Sequence, residues 1–117
     1  MTTHDALLDG EVLRELRTLL GAGLDPVLAA FSTQSEELLA GLAAATAAGD
    51  AASVRRLAHL LKGSAGSVGA RQLGTRAAEL EQCALSGDID AVRERLVPLP
   101  ALVAATVTAV QGDQRGA

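Results

Sequence analysis

One of the two histidines, His59, stands in the run Leu57-Ala58-His59-Leu60-Leu61-Lys62-Gly63-Ser64-Ala65-Gly66-Ser67-Val68-Gly69-Ala70. A neutral imidazole is a competent nucleophile near neutral pH, because its ordinary pKa of about 6.5 leaves much of the ring unprotonated. Read as a helix at about 100° per residue, the segment places Val54, Leu57, Leu60, Leu61 and Val68 on one side. His59 projects roughly 190° from the centre of that side, towards solvent. Arg55, Lys62, Gly63 and Gly66 share the histidine side, and Arg56 lies at its edge. Lys62, at i+3, brings an ammonium beside the ring. Glycine inside a helix costs about 1 kcal/mol relative to alanine. In so alanine-rich a chain, Gly63 and Gly66 point to clearance for another molecule approaching His59.

The elements that must position this surface are helical throughout. Apolar residues make up 49 % of the chain and aromatics only 1 %, so the core is built from Leu, Val and Ala. Ala and Leu are strong helix formers, and alternation of strand type is missing. The 117 residues form one domain over 1–117, with about 1–4 and 112–117 as loose ends. Asp5 or Asp9 caps a first helix with the stripe Leu8, Val12, Leu13, Leu16, Leu19 and Leu20, which ends at Gly21-Ala22-Gly23. Asp25-Pro26 reads as N-cap and first helical residue of a second helix reaching about Ala48. Its buried stripe is Val27, Leu28, Phe31, Leu38, Leu39 and Leu42. Gly49 stops it and Asp50 caps the third helix, which carries His59 from Ala51 to about Ser67 and stops at Gly69. A fourth helix spans about Ala70 to Ser86 with Leu73, Ala77, Leu80 and Ala84 inward, and Gly87-Asp88 starts the fifth. Pro98 and Pro100 break the fifth near 97–100, with a restart at Pro100. Short loops make successive helices antiparallel neighbours. The expected fold is all-α: an antiparallel four-helix bundle with a short additional N-terminal helix.

The order His59, Lys62, Gly63, Ser64, Gly69, Ala70, continued by Leu73 and Glu79-Leu80-Glu81, resembles the histidine phosphotransfer (HPt) domain family of two-component phosphorelays. The specific likeness covers about Arg56 to Glu81; elsewhere it is only helical. The resemblance implies a phosphorelay intermediate. His59 accepts a phosphoryl group from a receiver-domain aspartyl phosphate, carries it as a phosphoramidate and passes it to another receiver. It implies that Lys62 neutralises the added phosphate or pairs with a carboxylate of the partner, and that Gly63, Arg55, Arg56 and Gly66 support phosphate and partner. In many members a glutamine from the following helix bonds the other ring nitrogen. The matching offset here holds Glu81, with Gln82 beside it, and the sequence leaves both open. The implied partners are response-regulator receiver domains or a hybrid sensor histidine kinase. The chain itself binds no cofactor or metal, and Mg²⁺ arrives on the receiver.

Two other readings stand beside this one. One is a helical adaptor or inhibitor that binds a response regulator without carrying phosphate. The other is an HPt-like substrate domain of a chemotaxis-type histidine kinase. A free-standing enzyme using His59 as general base is disfavoured, because no second catalytic group lies at a dependable spacing. No glycine-rich loop follows a strand, so autophosphorylation from ATP is not expected and the chain reads as a phosphocarrier, not an enzyme. The net charge of −4 argues against nucleic acid as partner. No apolar run reaches transmembrane length and no signal-peptide layout begins the chain, so the expectation is a cytoplasmic location away from membranes. The initiating Met and the two loose ends favour a free-standing protein over an excised domain, and an exposed His59 is compatible with a monomer. The single Cys83 fits a reducing compartment and reads as a small buried hydrophobe, and His4 as a solvated tail residue.

Overall fold

Four glycine stops and three aspartate caps divide the chain into helices. The structure, a computed structural model, describes residues 6–116, and side chains over 6–112. The helices are α1 (Gly10–Leu20), α2 (Leu24–Ala47), α3 (Ala51–Val68), α4 (Arg71–Leu85), α5 (Ile89–Leu96) and α6 (Leu99–Gly116), with a 3-10 turn over Gly21–Gly23 between the first two. Gly21, Gly49, Gly69 and Gly87 all have positive φ, and each ends a helix or its last turn. Asp9, Asp50 and Asp88 cap α1, α3 and α5 by accepting from the backbone N–H of Glu11, Ser53 and Ala91. Asp5 and His4 lie outside the described residues. The four long walls α2, α3, α4 and the broken α5–α6 enclose a core in which Leu24, Leu28, Leu42, Leu61, Leu73, Leu80 and Leu99 are fully buried. This is the expected helical bundle with its extra N-terminal helix. Among the described residues there is no strand, and no single helix is long and apolar enough to cross a membrane.

Several local expectations are corrected. Asp25 is not the cap of α2. The 3-10 turn runs straight into that helix, and its carbonyls at Gly21 and Ala22 take the Leu24 N–H. The Asp25 carboxylate is thereby released to pair with Arg17 at 3.0 Å, which also donates to the Gly21 carbonyl. Pro26 falls third in α2, where an N–H has no intrahelical partner in any case. Leu19, Leu20 and Val27, expected in stripes, are exposed at this corner, because α1 is short and buries only Leu13, with Leu16 packed partly against the core. Phe31 is buried, as expected of core. Cys83 is half-buried against the core rather than enclosed. α6 restarts at Leu99, one residue before Pro100, so that Leu99 points inward and the proline occupies the first turn. The segment 112–116 continues α6 as helix instead of a loose end, propagated from the buried Val103, Thr106 and Val110 with no proline to stop it.

Leu60 is the correction that matters most for the site. It is 47 % exposed, while Val54, Ala58, Leu61, Ala65 and Val68 form the buried stripe of α3. The two alanines decide this rotation. α3 packs most extensively on α4, and small residues line the contact: a Cβ on Gly74 would sit 3.7 Å from that of Ala65. Ala65 against Gly74 lets the two backbones approach closely, and burying Ala58 and Ala65 rolls Leu60 outward.

Gly69-Ala70 holds α1 against this pair. Gly69 adopts φ +73, and its carbonyl accepts from the Asp9 N–H at 2.7 Å. A Cβ there would stand 3.0 Å from the Asp9 carbonyl oxygen and from Val12 Cβ. Left-handed backbone costs a side-chain-bearing residue about 1–2 kcal/mol, and the contact with α1 adds to that. Gly69→Ala is expected to lower unfolding stability by at least about 1 kcal/mol and to loosen α1, as read by urea denaturation and by faster amide exchange at Leu13.

Candidate functional site

α3 begins at a firm N-terminus. The Asp50 carboxylate accepts from Ser53 Oγ at 2.6 Å and from the Ser53 N–H at 3.1 Å, and these bonds hold its pKa below the ordinary carboxylate value. Two turns on, His59 emerges on the α4 side of the outer surface with its side chain 65 % exposed. Its Nδ1 lies 2.8 Å from Glu81 Oε2, across from α4. The other oxygen of the same carboxylate, Oε1, accepts from Lys62 Nζ at 2.7 Å. Glu81 is the least exposed member, at 15 %. One carboxylate thus joins the imidazole and the ammonium, and it ties α4 to α3 at two points one turn apart.

The electrostatics follow from that sharing. The hydrogen bond from Lys62, and then that from His59, hold the Glu81 carboxyl below its ordinary value. Lys62, expected to face an added phosphate or a partner, is here engaged by Glu81. The choice between Glu81 and Gln82 is settled in favour of Glu81, since Gln82 is exposed and next along the helix. Arg55 and Arg56 stand one turn before His59. With Ala52, His59, Leu60 and Glu81 they line an open hollow of about 310 Å³ beside the ring.

Gly63 and Gly66 are exposed, and a Cβ added at either would meet nothing within 4 Å. They are not packing glycines. They keep the surface beside His59 low. Ser67 Oγ donates to the Gly63 carbonyl at 3.0 Å, and Ser64 Oγ donates to Gln34 Oε1 of α2 at 2.9 Å. The sequence reading therefore named every polar residue of the cluster, and it missed Leu60, Ala52 and Gln34 around it. Leu60 and Ala52 read as ordinary apolar helix positions. Gln34 lies thirty residues from Ser64 and had no local signal at all.

Two expectations follow from this geometry. Gly63→Ala should raise thermal or urea stability by up to about 1 kcal/mol, because the helix gains propensity and nothing is struck. For Glu81, a folded-state pKa below the unfolded one adds stability that is present at neutral pH and lost as the pH falls through the folded value. Glu81→Gln should therefore show a smaller fall in stability than the parent between about pH 5 and pH 3, measured by urea titration at each pH.

The family model described as Hpt domain matches residues 26–112. The crystal structure of histidine-containing phosphotransfer protein B (HptB) from Pseudomonas aeruginosa PAO1 superposes with a TM-score of 0.91 at 28 % sequence identity, over 97 % of this chain and 98 % of that one. No curated protein matches the chain.

Proposed function

The chain belongs to the Hpt domain family, whose members are phosphocarriers in phosphorelays, and on that premise we propose that His59 is its phosphoryl-accepting residue. The single observation that carries the reading is the bond from His59 Nδ1 to Glu81 on an otherwise exposed ring. A carboxylate at Nδ1 favours the tautomer with the proton on that nitrogen. The lone pair is then on Nε2, the nitrogen directed away from Glu81. Nε2 attacks the phosphorus of a receiver aspartyl phosphate. The N–P bond forms, the P–O bond to the aspartate breaks, and the carboxylate leaves. The ring becomes cationic as its lone pair is shared, and Glu81 stabilises that charge without taking the proton. In the reverse step the neutral ring is regenerated as it leaves, so no proton need move in either direction.

Lys62 acts on this reading through Glu81, holding the carboxylate charged and in place. Gly63 and Gly66 leave room for a receiver to bring its acidic, Mg²⁺-holding pocket to the ring, and Arg55 and Arg56 favour that encounter electrostatically. The chain works with the donor's chemistry rather than with ATP, and the metal is the receiver's.

The experiment is transfer from a phosphorylated receiver domain to this protein, beside His59→Gln and Gly63→Gln. Acid-labile, alkali-stable label is expected on the parent and absent from His59→Gln, with Gly63→Gln slowed at least about tenfold by steric exclusion. Label on His59→Gln equal to that on the parent refutes the assignment. Binding of receivers by a chain that never takes label supports the adaptor reading, and label from a kinase with ATP but from no receiver supports the kinase-substrate reading.

A further inference from the structure

We infer that Arg55 and Arg56, and not Lys62, hold the phosphoryl group while it resides on His59. This rests on the phosphocarrier reading of His59. Lys62, at i+3, is the cation that sequence spacing favours for the task, but its ammonium is bonded to Glu81 at 2.7 Å. Moving it to a phosphoryl group would take one of the two hydrogen bonds away from a carboxylate that is only 15 % exposed and leave Oε1 without its partner.

The arginines have no such commitment. Both are exposed, and among the described residues neither forms a salt bridge; Arg56 acts only at a distance on the Asp50 carboxylate. Helical side chains lean towards the N-terminus and cover the turn before their own Cα. The ring of His59 therefore leans over the turn that carries Arg55 and Arg56. The hollow of about 310 Å³ beside the ring is lined by both arginines and by Ala52 of that same stretch of α3. It is roomy enough for a phosphoryl group, and the small alanine side chain does not obstruct it. A guanidinium presents a fork of N–H donors that matches phosphoryl oxygens.

The surrounding charge points the same way. Between residues 51 and 78 the chain carries five basic side chains and no carboxylate, although the molecule as a whole is acidic. The charged groups facing the hollow are Arg55, Arg56 and His59 from α3 and Glu81 from α4, with Lys62 behind Glu81.

The test needs no partner protein. Phosphoramidate donates to His59: Nε2 attacks phosphorus, the donor P–N bond breaks and ammonia leaves. The phosphorus-31 resonance of the phosphohistidine is then followed as pH is varied, for the full-length parent and for Arg55→Gln, Arg56→Gln and Lys62→Gln. A cation in contact with the phosphoryl oxygens favours their charged form. Losing the contact raises the titration midpoint of the phosphoryl group. At least one arginine variant is expected to raise it by about 0.5 unit or more, roughly threefold in proton affinity, and by more than Lys62→Gln does. Arg55→Lys or Arg56→Lys should recover part of that shift. A larger shift from Lys62→Gln, or none from either arginine, overturns the inference while leaving His59 as carrier. A parent that gives no phosphohistidine resonance beyond that of His59→Gln overturns the carrier reading and the inference with it.

Discussion

The Glu81 carboxylate, shared between His59 and Lys62, is the interaction on which the rest of the surface depends. It fixes the imidazole by one nitrogen, occupies the nearest lysine, and leaves the arginines one turn back as the uncommitted cations. It exists only because α3 and α4 approach closely. Ala65 and Gly74 supply that approach by keeping bulk out of the contact. Larger residues there would push α4 outward, and a carboxylate within hydrogen-bond reach of the ring would be lost. Packing of small side chains thus sets the chemistry of a residue that lies on the solvent side of the same helix.

The glycines divide by the same logic. Gly69 is held by conformation and contact: its φ is positive, a Cβ there would stand only 3.0 Å from the Asp9 carbonyl oxygen and from Val12 Cβ, and its carbonyl accepts from the Asp9 N–H. It belongs to the fold, joining α1 to the α3–α4 corner. Gly63 and Gly66 have ordinary helical geometry and empty space around them. Their cost in helix propensity is unrelieved by anything inside the molecule. Beside an exposed histidine, they keep the surface low.

A histidine 65 % exposed and a carboxylate 15 % exposed form a useful pair. The ring stays open to a partner. The group that orients it is sheltered, so water competes less for its oxygens and the Lys62 bond is less screened than a surface pair would be. The protein has no deep cavity at this place, only an open hollow.

What the sequence determined by itself was most of what is local in the chain, though not the start of α2 or the two ends of α6. Glycine and aspartate at helix ends placed the boundaries of α3 and α4 within a residue or two, because caps and left-handed stops are set by residues in contact along the chain. The run from His59 to Ala70 carried the resemblance to the Hpt domain family, because its members share one helix and one turn. The tertiary structure decided what depends on rotation and register between helices. Periodicity weighted by large leucines placed Leu60 inside, whereas close packing of alanines turned it out. Spacing put Glu81 at the matching offset with Gln82 beside it and left both open, and the antiparallel register of α4 against α3 put Glu81 at the ring, twenty-two residues from His59 along the chain. The same register gave Lys62 its partner, so the lysine that local spacing offers to a phosphate is held instead by a carboxylate from the next helix.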